Sequence, residues 1–422
     1  MLSRLSGYLA LLGALAATAT PLVRDKSPVS VPFTRKFNFT SGSTLVEMDR
    51  VRITNLMCGC GGKCSSYAKS TAKQQLSAAA TVFNTDATNG AVQYTVTVGV
   101  GSPATDYTLI VDTGSSNTWV GADKAYVKTS TSTSTGQTVE VSYGSGEFEG
   151  TEYTDDVTIA DGLTITSQSI GVASSSEGFD GVDGILGIGP EDLTCGTLTT
   201  DESACITTVV QNAYSQGLIP AEEVGISFAP ITGTSGTDTN GVITFGGTDT
   251  SLYTGDLTYT DITSTYPADY YVGITQSVSY GSETLFTDEA GIVDTGTTLI
   301  YLPSSAYNRY VSATGATLDE ETGLLRLSTS QYDSLESMTF TIGGTEYTLT
   351  ANAQIWPRSL NTAIGGSADY IYLVVNDFGS SAENGFEFIN GMTWLERYYF
   401  VYDAASSQVA FATTEYTDAT TN

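Results

Sequence analysis

The stretch "LIVDTGSSNTW" (Leu109–Trp119) places an ionisable side chain, Asp112, directly after an apolar run that is typical of a buried strand. The chain repeats this pattern as "GIVDTGTTL" (Gly291–Leu299), where Asp294 takes the same place. A charge at the end of a buried strand costs free energy unless the fold satisfies it. Two copies, about one domain's length apart, therefore predict a duplicated fold that uses both aspartates for one purpose.

The N-terminus has the features of a secretory signal peptide, residues 1–19. Arg4 supplies a positive charge, "YLALLGALAATA" an apolar core, and Ala17-Thr18-Ala19 a small-residue cleavage site. The remaining sequence contains no segment that we expect to span a membrane, and the C-terminal "FATTEYTDATTN" is polar. We expect a soluble protein that is secreted to the extracellular space.

Charge divides the 422-residue chain into two parts. Residues 20–77 contain nine basic and three acidic residues, whereas the following part contains six basic and 43 acidic ones. A basic segment between a signal peptide and an acidic body is typical of a pro-segment. The sequence therefore predicts an inactive precursor, in which residues 20–77 bind the rest of the chain.

The acidity of the part after residue 77, the body, indicates which partners the protein can bind and how it responds to pH. It excludes nucleic acid and acidic membranes as natural partners. When carboxylates protonate near their reference pKa of about 4, the body approaches neutrality instead of repelling itself. Acidity of this kind fits a protein that works in acid, although solubility alone would explain it equally well.

Histidine is absent from the chain, which excludes histidine-based catalytic triads and histidine metal sites. Cys195 and Cys205 are close enough to form a disulfide across a short loop, the usual state in a secreted protein. Cys58, Cys60 and Cys64 form a cluster that lacks a fourth ligand and is weak evidence for a metal site. We expect neither a cofactor nor a metal.

The hydrophobic pattern predicts a mostly β protein with a few short helices. Apolar and polar residues alternate in runs such as "QYTVTVGV", and "ACITTVVQNAYSQG" has helical spacing. Each half also has a later apolar segment ending in glycine, "DGILGIG" (Asp183–Gly189) and "FINGMTWLERYY" (Phe388–Tyr399). These repeats predict two β lobes, 78–250 and 251–422, related by an approximate two-fold axis that brings Asp112 and Asp294 face to face.

One Asp-Thr-Gly is usually only a turn at the end of a strand, but two such copies indicate a site. Two adjacent carboxylates cannot both ionise, so the pair shares a proton. The ionised member accepts a proton from water while the protonated member donates to a carbonyl oxygen. This chemistry hydrolyses peptide bonds in acid without a metal or a covalent intermediate.

At these residues the sequence resembles the pepsin-like aspartic proteases, and among them most closely the polyporopepsin type of basidiomycete fungi. The stretches "VDTGSSNTWVGADKAYVKTSTS", "GSGEFEGTEYTDDVT", "GFDGVDGILG" and "ANAQIWPRSLNTAIGGSA" carry the resemblance, which extends from about Ala78 to the C-terminus. It implies the bilobal pepsin-like fold, with a cleft that binds protein and peptide substrates in extended form. It also implies a secreted aspartic-type endopeptidase made as a zymogen, monomeric and inhibited by pepstatin-type compounds.

The resemblance assigns roles to residues whose motifs match. Asp112 and Asp294 become the catalytic pair, and "VSYGSGEFEG" becomes the flap hairpin that closes over substrate. The remaining assignments are the flap tyrosine Tyr143 with Gly144 and Ser145 at its tip, Trp119 beside that tyrosine, Ser115 and Thr297 bonded to the outer carboxylate oxygens, Gly114, Gly296 and Thr298 near the substrate, and Tyr271 lining the cleft.

The sequence departs from the family pattern in its second apolar-glycine segment, where Asn390 precedes Gly391 instead of an aliphatic residue. We expect this change to affect packing behind Asp294 more than the chemistry. The pro-segment does not align well enough to choose the basic residue that blocks the aspartates.

Two other functions could be inferred from these motifs, a binding protein on the same fold and a phosphoryl-accepting aspartate. A binding protein on the same fold requires a silent pair of aspartates, yet both aspartates, their glycines and the flap tyrosine are present. A phosphoryl-accepting aspartate requires a lysine after the aspartate, which "DTGTT" lacks, and "YGSGEFEG" lacks the lysine and helix of a phosphate loop.

Overall fold

A computed structural model describes residues 27–36, 42–58, 93–143, 146–231, 238–379 and 385–422. The predicted signal peptide, the junction between residues 77 and 78, and the "CGCGGKC" side chains lie outside these residues. Within them the protein is mostly β with a few short helices, as the sequence predicts. No described helix is both long and apolar enough to cross a membrane.

The first half of the described chain contains ten strands and two α-helices. They are β1 (Val29–Lys36), α1 (Gly42–Cys58), β2 (Gln93–Val100), β3 (Thr105–Asp112), β4 (Trp119–Val120), β5 (Thr133–Ser142), β6 (Glu147–Ala160), β7 (Leu163–Glu177), β8 (Gly184–Gly187), α2 (Val209–Ser215), β9 (Glu223–Ser227) and β10 (Asp238–Phe245).

The second half adds thirteen strands and three α-helices. They are β11 (Thr254–Asp261), β12 (Gly273–Tyr280), β13 (Glu283–Val293), β14 (Ile300–Leu302), α3 (Ser304–Thr314), β15 (Thr317–Leu318), β16 (Leu325–Leu327), α4 (Thr329–Tyr332), β17 (Met338–Ile342), β18 (Thr345–Leu349), β19 (Ile371–Tyr372), β20 (Val375–Asp377), β21 (Ile389–Asn390), α5 (Met392–Leu395), β22 (Tyr398–Asp403) and β23 (Gln408–Thr413).

The strands form a large sheet, a seven-stranded sheet and a small one. The large sheet has the order β11-β23-β22-β9-β10-β1-β2-β3-β8-β4-β7-β6-β5, and the seven-stranded sheet has the order β18-β17-β12-β13-β21-β14-β20. The predicted division at residue 250 falls between β10 and β11. Strands from both sides of it share the large sheet, because β11, β22 and β23 continue that sheet beyond β9.

The predicted repeat is visible in the strand pairing. β3 pairs in parallel with β8, so that Asp112 lies opposite Gly187. β13 pairs in parallel with β21, so that Val293 lies opposite Asn390. In each half, therefore, an apolar strand delivers its aspartate beside a later apolar-glycine segment.

Local sequence accounts for where several elements start and stop. Helix α2 begins at a capping box, in which the Thr208 side chain and Gln211 bond each other's backbone N–H groups. Helix α3 stops at Gly315, whose φ of 66° is the left-handed conformation that glycine adopts without strain. Cys195 and Cys205 form the expected disulfide.

The predicted pro-segment is built into the large sheet through β1. This strand pairs with β10 on one side and β2 on the other. Phe33 is buried and packs edge-on against Tyr94 and Phe228, with ring centroids 5.0 and 5.2 Å apart. Arg35, also fully buried, forms an ion pair with Glu396. Strand β1 therefore contributes core side chains as well as backbone bonds.

We expect Phe33→Ala to lower the free energy of unfolding of the full chain by about 3 kcal/mol, because it removes a core ring between two aromatic neighbours. Denaturant unfolding at neutral pH measures this. Pro32→Ala, at the exposed neighbouring position, serves as the control and should change stability by less than about 1 kcal/mol. Equal stability of the two variants would contradict the central place of β1.

Candidate active site

The two sheets bring Asp112 and Asp294 to the same place. Asp112 is the last residue of β3, and Asp294 follows the last residue of β13. Their carboxyl groups lie within reach of a single guanidinium group, that of Arg52, and both side chains are buried. The prediction that the repeat places the aspartates face to face agrees with this geometry.

Reciprocal hydrogen bonds between two threonines join the aspartate loops. The backbone N–H of Thr113 donates to Thr295 Oγ1, and that of Thr295 donates to Thr113 Oγ1, each at 3.0 Å. The hydroxyls in turn donate across the interface, from Thr113 to the Val293 carbonyl at 3.3 Å and from Thr295 to the Val111 carbonyl at 3.0 Å. These four bonds fix the two loops relative to each other.

Each carboxylate is held in the same way within its own loop. Gly114 N–H donates to Asp112 Oδ1 at 3.0 Å, and Ser115 Oγ donates to Oδ2 at 2.5 Å. In the second loop Gly296 N–H and Thr297 Oγ1 make the equivalent bonds to Asp294, at 3.0 and 2.5 Å.

Both glycines are required by the close approach of the loops. A Cβ atom added to either glycine would collide with Arg52 Nη2. It would also lie 2.7 Å from the opposite carboxylate, Asp294 Oδ1 for Gly114 and Asp112 Oδ1 for Gly296. Side chains at these positions would therefore push the carboxylates apart.

Arg52, in helix α1, binds both aspartates. Its Nη2 donates to Asp112 Oδ1 at 2.5 Å and to Asp294 Oδ1 at 2.8 Å, and its Nε donates to Asp294 Oδ2 at 2.7 Å. Burial lowers the pKa of Arg52, but the two aspartate charges outweigh burial and raise it overall, so the guanidinium remains charged. Arg52 is therefore the counter-ion of the pair and covers its carboxylate oxygens.

The surroundings shift the pKa values of the two aspartates in opposite directions. Burial and the neighbouring Asp294 charge raise the pKa of Asp112 above its ordinary value, against the opposing effect of Arg52. Burial also raises the pKa of Asp294, but the charge and hydrogen bonds of Arg52 outweigh burial. Hydrogen bonds from Thr297 and Gly296 act in the same direction as Arg52, so the pKa of Asp294 is lowered overall. The site thus holds a more acidic and a less acidic carboxyl group side by side.

A second charged residue of α1, Asp49, is anchored beside the site. Its carboxylate accepts hydrogen bonds from the backbone N–H groups of Thr298 and Leu299, at 3.2 and 3.1 Å, and from the Tyr301 hydroxyl at 3.2 Å. Burial raises the pKa of Asp49 to about 7, although these hydrogen bonds act in the opposite direction. The position predicted to meet substrate, Thr298, is thus occupied by the helix.

Helix α1 also contacts Tyr143, the predicted flap tyrosine, and Tyr271, which is predicted to line the cleft. Asn55 donates from its side chain to the Tyr143 carbonyl, and the Tyr271 hydroxyl donates to the Leu56 carbonyl at 2.6 Å. The helix therefore spans the space in front of Asp112 and Asp294.

The predicted flap tyrosine lies in an aromatic cluster. Tyr143 is buried, and its ring centroid is 6.3 Å from that of Trp119 and 5.5 Å from that of Phe179. The backbone N–H of Tyr143 donates to the Gly146 carbonyl, as a hairpin requires. The predicted tip residues, Gly144 and Ser145, lie outside the described residues.

Sequence reasoning missed the three side chains of α1 that contact the site, Asp49, Arg52 and Asn55. The available signal was the spacing in "LVEMDRVRITNL", where Leu45, Met48, Ile53 and Leu56 recur on one helical face. Asp49 and Arg52 lie on that same buried face and interrupt its apolar pattern.

We expect Thr295→Val to lower the free energy of unfolding by roughly 2 kcal/mol or more, because it leaves the Thr113 N–H and the Val111 carbonyl buried without partners. Activity should fall as well, since the loops lose their mutual fixation. Thr393→Val is the matched control, because the Thr393 hydroxyl is buried without a hydrogen-bond partner among the described residues. Denaturant unfolding and peptide cleavage of both variants measure the difference, and equal stability would contradict the role of the threonine bonds.

Comparison with known proteins gives consistent family matches for this chain. The profile described as "Eukaryotic aspartyl protease" matches residues 93–414. Polyporopepsin from Irpex lacteus is 60% identical over 337 residues, covering 80% of this chain and 98% of that protein. Pepsin A from Sus scrofa is 29% identical over 341 residues, covering 76% and 81% of the two chains. The crystal structure of an aspartic proteinase from Irpex lacteus has a TM-score of 0.78 and 51% identity, covering 94% of this chain and 100% of that one.

Proposed function

Because the chain belongs to the eukaryotic aspartyl protease family and is an aspartic-type endopeptidase, we propose that Asp112 and Asp294 are its catalytic pair. The observation that carries this proposal is the matched set of hydrogen bonds around the two carboxylates, with one guanidinium shared between them. We further propose that the full chain is the inactive precursor of a secreted acid protease.

In the proposed mechanism the pair acts once Arg52 has left. Without this counter-ion, two buried carboxylates share one proton and titrate as a unit. The ionised member takes a proton from a water, which attacks the scissile carbonyl, and the protonated member donates to the carbonyl oxygen. The Gly114 and Gly296 N–H groups and the hydroxyls of Ser115 and Thr297 hold the carboxylates in place throughout.

The substrate-binding roles are proposals that rest on position. The proposed flap hairpin, with Tyr143 as the flap tyrosine and Gly144 and Ser145 as its tip residues, closes over an extended protein or peptide substrate. Trp119 packs beside Tyr143, while Thr298 and Tyr271 are proposed to face substrate. Helix α1 contacts Tyr143, Thr298 and Tyr271, which supports assigning them to the cleft.

The proposed precursor is inhibited by its own residues 20–77, through Arg52 above all. Arg52 lowers the pKa of Asp294, so this ion pair stabilises the docked helix at pH values above the ordinary aspartate pKa of about 4. The stabilisation is lost as the pH falls through the depressed pKa, because the protonated aspartate no longer attracts the guanidinium. Acid therefore releases α1, and cleavage near residues 77–81 completes activation.

The remaining proposals concern the protein's surroundings. The charge pattern of residues 1–19 supports secretion, and residues 78–250 and 251–422 are proposed as the two lobes of the mature enzyme. We propose a monomer that binds pepstatin-type inhibitors in the cleft, since such compounds compete for the aspartate pair.

The test of the proposed function is cleavage of an unfolded protein from pH 2 to pH 8 by the processed wild type and by Asp294→Asn. We expect activity confined to acid, blocked by pepstatin and reduced by at least about a thousandfold in the variant, because the amide can neither share nor transfer the proton. Folded, processed wild type that cleaves nothing would favour a binding protein instead.

A second experiment tests inhibition by Arg52. We expect Arg52→Gln to weaken docking of α1 by roughly 3 kcal/mol, because it removes the counter-ion from two buried carboxylates. Processing of the full chain should then begin at a higher pH than in the wild type. Arg50→Gln is the matched control, since Arg50 lies on the exposed face of the same helix. Gel analysis of processing against pH compares the variants, and identical profiles for Arg52→Gln and wild type would contradict the proposal.

A further inference from the structure

Asn390, the residue that departs from the family pattern, is fully buried and paired with Gln276 of β12. Asn390 Nδ2 donates to Gln276 Oε1 at 2.8 Å, and Gln276 Nε2 donates to Asn390 Oδ1 at 3.2 Å. Each amide therefore both donates to the other and accepts from it. The expected disturbance of packing behind Asp294 is replaced by a specific pair of hydrogen bonds.

This amide pair crosses the strand that carries Asp294. In the seven-stranded sheet β13 lies between β12, which holds Gln276, and β21, which holds Asn390. The two side chains thus connect the strands on either side of β13. The Asn390 carbonyl also accepts a hydrogen bond from the Asp294 backbone N–H at 3.2 Å. Asn390 therefore contacts Asp294 directly through its backbone and ties that contact to β12 through its side chain.

The loop after Asp294 depends on the same segment. Gly391 follows Asn390, and the next two residues, Met392 and Thr393, donate backbone N–H bonds to the carbonyls of Thr297 and Thr298, at 2.8 and 3.1 Å. A shift of Asn390 would therefore move the loop whose Thr297 hydroxyl holds the Asp294 carboxylate.

The strand that supports Asp112, in the first half of the chain, uses a different side chain at the corresponding place. There the supporting strand β8 has four residues, and Leu186, which also precedes a glycine, is a buried apolar residue. Strand β21 has only two residues and makes a two-residue parallel pairing with β13. The shorter strand is the one that carries the amide pair.

We propose that Asn390 and Gln276 are positioning residues for Asp294, which hold its backbone and its loop in the geometry required for proton transfer. This inference rests on the proposed catalytic role of Asp294. Misplacement of a catalytic group by a fraction of an ångström slows the chemical step but has little effect on the affinity for substrate. Loss of the pair should therefore reduce kcat and leave KM nearly unchanged.

The experiment compares three variants of the processed enzyme. Asn390→Leu with Gln276→Leu replaces both amides by apolar side chains and leaves no unpaired polar group. Asn390→Gln with Gln276→Asn exchanges the two amides and keeps the possibility of pairing. Asn212→Leu with Gln168→Leu removes another amide pair, located on α2 and β7, and serves as the control.

We expect the apolar double variant to have a kcat about tenfold lower, with KM within about twofold of the wild type and a shifted pH profile. The exchanged variant should recover most of the lost kcat, and the control should keep the wild-type kcat and profile. Wild-type kcat and pH profile in the folded apolar variant would overturn the inference, because packing alone would then suffice.

Gln276→Glu provides a second test that does not depend on the folding of the double variant. In acid the carboxylic OH of this variant replaces the amide as donor to Asn390, so kcat should stay near that of the wild type. When the introduced carboxyl group ionises, the donor is lost, and kcat should begin to fall at a lower pH than in the wild type. An unchanged pH profile would overturn the inference. Wild type without pepstatin-sensitive activity would instead refute the proposed function itself.

Discussion

The structure depends on keeping two buried carboxyl groups next to each other. Such a pair is costly unless its charge is compensated, and the chain compensates it at several levels. Backbone N–H groups and hydroxyls from each loop bond the carboxylates, reciprocal threonine bonds fix the loops, and Arg52 supplies the missing positive charge. The placement of Gly114 and Gly296 and the docking of α1 both serve this requirement.

The repeat is close near the aspartates and looser behind them. Gly114 and Gly296 make the same bond, as do Ser115 and Thr297, because each loop has to satisfy the same carboxylate chemistry. Behind the loops the two halves support the aspartate by different means, an apolar side chain in one and a paired amide in the other. Leu186 and Asn390 are two such solutions.

The sequence was sufficient to predict the β class, the repeat, the aspartate pair and the Cys195–Cys205 disulfide, because each rests on local pattern or short spacing. It was not sufficient for α1. Two residues on its buried face, Asp49 and Arg52, are charged, so the apolar residues do not form a continuous helical stripe. The partners of these charges lie far away in the sequence. Arg52 meets Asp294 across 242 residues, which no local rule reveals. The pairing of Asn390 with Gln276 could not be predicted for the same reason, because the two residues are 114 positions apart in the sequence.

The pKa shifts linked to the two charged residues of α1 have opposite signs, so in the proposed precursor only one of these residues favours release of the helix in acid. Burial raises the pKa of Asp49 to about 7 in the docked helix, so its contribution to docking is complete in acid and is lost as the pH rises. Asp49 therefore opposes release in acid. The Arg52 pair acts in the other direction, since Arg52 lowers the pKa of Asp294 and protonation cancels the attraction. In the proposed precursor, release therefore depends on protonating the aspartate pair itself. We infer that Asp294 is the aspartate whose protonation matters most for release, because Arg52 binds it through both Nε and Nη2.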